Sequence, residues 1–475
     1  MKHSISRTFF TGALGIAACA ANAQTSTPLN LPALFADHMV LQQKTDAPVW
    51  GRGDASRTVC VVGSWNPADT ASATVDDYGH WAVNLPTPSY GGPYSLEVFY
   101  RGLPADTLTV RDVMIGEVWL CSGQSNMEWS PANGIENYEQ ERAGASNPAI
   151  RFFSLAKTAS ETPQDNCIAK WEVFTPDVMS RRSAVAYMFG RNLNKKLDGV
   201  PVGLIVSAWG GTPAEVWVPE DSVNNNSDIA EAVIETRYPW WPVQPGVLYN
   251  SMIHPLAPYG IAGAIWYQGE SNRDNPQSYR HLMSTLIRSW RKDFRKEFPF
   301  FIVQIAPFNY ASSNNGPALV REAQQQVADK VPSVGLIPTI DIGNVNNIHP
   351  AKKSQVGERL ANMALGRVYG RITDGFEAPR AIDAVPQKSA LCIQFSNAGE
   401  GMSASSKEIK GLSVAGTDGV FHPAKGTLKN NVLTVKSSEV KSPVKVRYCF
   451  DDASEGTVFN SFGLPLLPFS LSVEP

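Results

Sequence analysis

Short runs of apolar residues that do not alternate with polar ones recur through the middle of the chain. VMIGEVWLC, PVGLIVSAW, AGAIWYQ, FPFFIVQIA and VGLIPTIDI are of this kind. Between and after them lie RRSAVAYMFGRNLNKKL, NPQSYRHLMSTLIRSWRKDF, GPALVREAQQQVADKV and HPAKKSQVGERLANMALGRVYG, where apolar residues return at helical spacing. Non-alternating strands separated by amphipathic helices predict a parallel sheet covered on both faces. That is a doubly wound α/β domain, expected over residues 111–372.

The flanks read differently. From 24 to 110 the runs HMVLQQ, APVWGRG, RTVCVVGSW, TASATVDDYGHWAVNLP and YSLEVFY are β-rich and broken by Gly, Pro and Asp, with no helical pattern among them. Residues 373–475 are β-rich again, with SALCIQFSNAGEG, IKGLSVAG, NVLTVKSS and PVKVRYCFDD. A β-sandwich on each side of the α/β domain is the expected architecture. GRGDAS, in the first flank, lacks a βαβ context and is read as a turn.

Composition narrows the function classes. A length of 475 residues suits about three domains. The net charge of −3 and the lack of a dense basic run argue against a nucleic-acid surface. Twelve tryptophans suit core packing first and a sugar-stacking cleft second. Residues 1–23 read as a signal peptide, with Lys2 and Arg7 before an apolar stretch and Ala21-Asn22-Ala23 as cleavage site. A secreted or periplasmic protein is expected, with no transmembrane segment; IAAC, ending at Cys19, leaves lipoprotein anchoring as the alternative. The remaining cysteines are 60, 121, 167, 392 and 449, without a C-x-x-C pair, so no zinc ribbon is expected. Cys392 and Cys449 are a candidate disulfide; Cys121 reads as a small buried residue.

Polar clusters follow the predicted strands: SGQSNMEW after the first, SAWGGTPAEVW after the second, WYQGESN after the third and DIGNVNNIHP after the last. Strand ends of one parallel sheet share an edge, where such folds place their chemistry. The contents suit acyl transfer. Ser125 supplies a hydroxyl that attacks only once a base removes its proton, and His349 is the candidate base. Gly210, Gly211, Asn272 and the N–H of Ser125 are candidate donors to a tetrahedral oxyanion. Each residue also has an ordinary reading. Ser125 suits a helix cap, Asn126 a turn, Gly210-Gly211 a tight loop, and Glu215 and Glu270 bonds to nearby backbone amides. Their joint occurrence at successive strand ends favours a site.

The motifs GQSNM, WGGT, WYQGESN and IHP…K…VGERLA resemble those of the sialate O-acetylesterase family of SGNH-type hydrolases. LFADHMVLQQ and VRYCFDDASEGTVFNSFGLPLLPF resemble its flanking segments, so the resemblance spans nearly all of the chain after residue 23. It implies an SGNH hydrolase-like catalytic domain that removes O-acetyl groups from sialic acids or related sugars, with no metal and no organic cofactor. Ser125 and His349 match the nucleophile and base, and Gly211, Gln268 and Asn272 fall in or near the oxyanion region. Relatives often carry aspartate two residues before the histidine, where this chain has Asn347. Glu270 is the first candidate for the missing acid, Asp341 the second, and a Ser-His dyad the third. Acetylxylan or another acetylated polysaccharide is the alternative substrate, and a glycan-binding protein with a degenerate site the alternative class.

Overall fold

The computed structural model describes residues 28–230, 240–310 and 315–473; the expected signal peptide at 1–23 and Cys19 lie outside the described residues. Seven strands form the central sheet in the order Val334–Ile337, Phe300–Val303, Gly263–Tyr267, Leu103–Gly123, Val202–Ala208, Asn147–Ser154 and Trp171–Phe174. The first six run parallel, and Trp171–Phe174 pairs antiparallel at the edge. The sheet is therefore mixed, where the apolar runs predict a purely parallel one. The last two strands on that side, Asn147–Ser154 and Trp171–Phe174, are not among those predicted. Trp171–Phe174 is four residues long, and Asn147–Ser154 opens on Asn-Pro, a turn signal.

Both faces are covered. Along the middle strand Val118 and Leu120 enter one apolar core, while Trp119 and Cys121 enter the other. This alternation is the period-two geometry of a strand, and it explains why all four positions are apolar. Helices Pro276–Asp293 and Gly316–Lys330 contribute Leu282, Leu286, Val320 and Val327 to the first core. Helices Ala184–Lys196 and Lys353–Arg367 contribute Val185, Phe189, Leu360 and Ala364 to the second. Each large apolar side chain so buried stabilises the fold by about 1.5–3 kcal/mol, so a charge at Leu120 would damage the sheet from inside.

The N-terminal strands are fused to this sheet. Leu103–Gly123 is one strand of 21 residues. Its first part pairs antiparallel with Gly91–Tyr100, and its second part joins the central sheet. The boundary expected at 110/111 thus falls inside a continuous strand. Val59, Leu96 and Val98 share one apolar core with Leu282 and Trp290.

The C-terminal unit has its own core, drawn from two four-stranded antiparallel sheets. Leu391, Ile393, Leu433 and Val435 come from one sheet, and Leu412, Val414, Val446 and Tyr448 from the other, a sandwich-like arrangement. Ile340 of the α/β layer is buried in that core, and its carbonyl accepts the Gly456 N–H at 3.0 Å. The C-terminal unit so grips the segment that leads to His349. The expected Cys392–Cys449 disulfide is corrected: both thiols are free. Cys392 lies on one sheet beside Thr434, whereas Cys449 is buried at the end of the other, against the Glu455 carbonyl.

Candidate active site

The middle strand ends between Val202–Ala208 and Gly263–Tyr267, where the chain order of the sheet reverses. Parallel sheets open a crevice at such a point. Gly123 takes φ +139, and a β-carbon there would lie 2.2 Å from the Tyr267 carbonyl oxygen, so only glycine brings the strands this close. The Gln124 N–H donates to Tyr267 O at 3.0 Å, and Gln124 Oε1 accepts from the Gly269 and Ser271 N–H groups, each at 3.3 Å. Ser125 then opens a single helical turn, Ser125–Glu128, at half-buried exposure. As the first helical residue its N–H has no acceptor within the turn.

The loop after Val202–Ala208 faces this serine. A β-carbon on Gly210 would stand 3.1 Å from Ser125 Cβ. The Gly210 N–H is taken by Glu128 Oε2 at 2.7 Å, and Lys157 pairs with Glu128 Oε1 at 2.5 Å. Gly211 has φ +80 and lies outside helix and strand, with no bond from its N–H to a described residue. That N–H and the Ser125 N–H are the donors left for an oxyanion.

His349 is brought to the serine turn by two contacts. Asn126 Nδ2 donates to the Ile348 carbonyl at 3.0 Å. The Trp129 ring stacks on the imidazole with centroids 4.2 Å apart and planes 17° apart. Imidazole Nε2 is buried without a hydrogen-bond partner. Burial, and then the Lys353 charge, pull the His349 pKa down to about 4, so the ring is neutral and can accept a proton across the neutral range.

Among the described residues no carboxylate pairs with that ring. Asn347 Oδ1 accepts the backbone N–H of His349 at 2.9 Å, a local turn. Asp341 is held by Arg359 through two bonds of 2.8 and 2.6 Å. The Glu270 carboxylate accepts from Asn126 Nδ2 at 2.7 Å through Oε1, while its buried Oε2 has no partner. Burial raises the Glu270 pKa. Ring orientation here comes from Trp129, whose own Nε1 is anchored to the Gly134 carbonyl at 3.0 Å.

Gln268 and Asn272 meet each other rather than the serine. Gln268 Nε2 donates to Asn272 Oδ1 at 2.7 Å and to the Thr212 carbonyl at 3.2 Å. Because a carbonyl only accepts, the nitrogen must face Thr212, which settles the amide's orientation. Asn272 Nδ2 donates to both oxygens of Glu215, at 3.1 and 2.9 Å, and Asn272 Oδ1 also accepts the Ala214 N–H at 2.9 Å. Both amides are spent on bracing the Gly210–Ala214 loop. Burial raises the Glu215 pKa.

Three contributors escape the sequence reading. Trp129 lies in SGQSNMEW, yet nothing in its spacing says that it stacks on a histidine from the far end of the domain. Asn126 reads as a turn residue but makes three hydrogen bonds, two of them buried. Lys353, 1% exposed, donates to Asn126 Oδ1 at 2.5 Å and lies over the Tyr267 ring. Its only signal is the lysine within the IHP…K motif. A cleft of about 1160 Å³ lined by Trp50, Trp81 and Tyr259 lies between the N-terminal strands and the α/β layer and contains none of these residues. Among the described residues no group of three His, Cys, Asp or Glu side chains is placed to hold a metal ion. No described helix is long and apolar enough to cross a membrane.

A crevice at the sheet's switch point that gathers a serine, backbone N–H groups and a neutral histidine suits ester hydrolysis. The protein is a carbohydrate esterase, a carboxylic ester hydrolase. Specifically, the chain belongs to the family of sialic acid-specific acetylesterases, whose family model matches residues 115–366. Sialate O-acetylesterase from Homo sapiens is 31% identical over 393 residues, covering 75% of this chain and 75% of its own length. The same enzyme from Mus musculus is 30% identical over 403 residues, covering 72% and 74%. Among solved structures, a carbohydrate acetylesterase from Xanthomonas citri is similar at TM-score 0.83 and 34% identity, covering 94% of this chain and 99% of its own.

Proposed function

We propose that the protein is a secreted enzyme that removes O-acetyl groups from sialic acids, with Ser125 as nucleophile and His349 as base. The observation that carries this reading is the buried, partnerless Nε2 of His349, held against the serine's own helical turn by Trp129 and Asn126. Nε2 takes the Ser125 proton as Oγ attacks the acetyl carbonyl. The oxyanion that forms is met by the Ser125 and Gly211 N–H groups. Collapse breaks the bond to the sugar oxygen, which leaves with the proton from the imidazolium. Water, deprotonated by the same histidine, then attacks the acetyl-serine and releases acetate. Gln268 and Asn272 act one step back, by fixing the loop that presents Gly211, and Glu270 acts through Asn126. The sialic acid substrate follows the relatives, which are named sialate O-acetylesterases.

Ser125→Ala is the test. It should keep a cooperative thermal melt and lose turnover of a chromogenic acetyl ester by on the order of 10⁶. Activity within tenfold of wild type would overturn the nucleophile. A panel of O-acetylated sialic acids and acetylated xylo-oligosaccharides then decides the substrate, with sialic acids expected to give the higher kcat/KM.

A further inference from the structure

Asn126 stands directly after the candidate nucleophile, and every polar atom of its side chain is committed. Oδ1 accepts from Lys353 Nζ at 2.5 Å; Nδ2 donates to Glu270 Oε1 at 2.7 Å and to the Ile348 carbonyl at 3.0 Å. One amide thus ties four pieces together: the serine's turn, the turn after Gly263–Tyr267, the loop carrying His349 and the helix Lys353–Arg367. Its orientation has no freedom. An ammonium only donates, so Oδ1 must face Lys353, and a carbonyl only accepts, so Nδ2 must face Ile348. Lys353 is the member that nothing else explains, because it starts a helix yet is almost fully buried. A buried lysine is rare unless paired, and this one spends its contacts on an asparagine amide and the face of Tyr267.

We propose that Lys353 is a positioning residue, which locks Asn126 and thereby holds the His349 loop in register with Ser125. The proposal rests on the Ser125–His349 reading and adds a residue to it. Charge gives the same residue a second effect. The charge that acts on the base is Lys353, on the helix that follows it; Glu270 meets Asn126 and acts on Lys353. Glu128, on the serine's turn, is already paired with Lys157 and the Gly210 N–H. The ammonium disfavours imidazolium and lowers the His349 pKa, second only to burial.

Lys353→Met removes both the donor and the charge. Misplacing a catalytic pair by an ångström costs roughly 10²-fold, so kcat should fall by about that factor while KM stays within about twofold. The acid limb of kcat/KM against pH should also move upward, because the cation that holds His349 low is gone. Lys353→Gln restores a donor to Asn126 Oδ1 without the charge. It should recover most of kcat but keep the raised limb, a separation that a merely structural lysine would not produce. Thermal melts confirm folding; if the Met variant does not fold, the Gln variant decides on its raised limb alone. Variants that fold with wild-type kcat and an unmoved limb overturn the proposal. Ser125→Ala and His349→Ala, run in parallel, report on the underlying reading: their retained activity would sink that reading first, whatever Lys353 does.

Discussion

Two buried carboxylate–asparagine pairs flank the serine turn, and they are wired differently. On the side of the glycine loop, Asn272 Nδ2 donates to both oxygens of Glu215, and Oδ1 accepts from two neutral donors, the Ala214 N–H and Gln268. On the side of the histidine, Asn126 divides its hydrogens between Glu270 and the Ile348 carbonyl and accepts from an ammonium. Glu215 therefore has both oxygens satisfied, whereas Glu270 keeps a buried oxygen without a partner. A closed network stiffens a loop and does little else. An open one, holding opposite charges on either side of an amide, couples to the titration of whatever stands beside it.

Cutting the asparagine from each pair exposes the contrast most strongly. Asn272→Leu takes the side-chain donor from the buried Glu215 carboxylate, leaving it only a backbone N–H, and should cost about 3 kcal/mol of stability in urea unfolding. Asn126→Leu leaves Glu270 and Lys353 free to meet directly, so its stability cost should be nearer 1 kcal/mol, with the loss falling on kcat instead. Equal stability losses for the two variants would erase the distinction.

The open network should also show itself in the pH dependence of stability. Burial pulls the Lys353 pKa from 10.5 to about 7. A lysine lowered on folding leaves the unfolded chain holding more protons between those two values, so stability rises with pH from about 7 to 10.5. Lys353→Met should flatten that rise. Glu270→Gln should move its onset to lower pH, because the carboxylate's charge is what props the lysine up. Glu215→Gln should leave the rise in place. An alkaline stability profile common to wild type and Lys353→Met would remove the lysine from the account.

Much of this layout is legible in the apolar pattern. The five non-alternating runs and four helical segments fall where the central sheet and its covering helices lie, because burial on both faces forces apolar residues at every strand position. Trp171–Phe174 stays hidden because it is a four-residue strand at the sheet's edge, and Asn147–Ser154 because it opens on the turn signal Asn-Pro and has no apolar run before Ile150. The continuous strand Leu103–Gly123 hides the first junction for another reason: nothing in a strand's composition marks where its partner changes. Ser125, His349 and the glycine loop are marked by their place at strand ends. The use of each polar side chain is not, since a carboxylate in QGESN reads alike whether it meets an imidazole or an asparagine. Only the packing separates Glu270 from Glu215, and only the packing assigns Asp341 to Arg359.

Asn347 offers the smallest and most local test of how the open side works without a carboxylate at the ring. Its side chain accepts the His349 backbone N–H through Oδ1, and an aspartate would keep that bond while adding a negative charge two residues from the imidazole. The charge stabilises imidazolium, against the burial and the Lys353 cation that hold the His349 pKa at about 4. Asn347→Asp should therefore raise the acid limb of kcat/KM above that value, by less than Lys353→Met does, because the new carboxylate sits in an exposed turn screened by water. Asp341→Asn serves as the bystander: losing its Arg359 pair should cost stability, on the order of 2 kcal/mol, with the limb unmoved. A limb that shifts in Asp341→Asn but not in Asn347→Asp would reverse that assignment and make Asp341 the group that acts on the base.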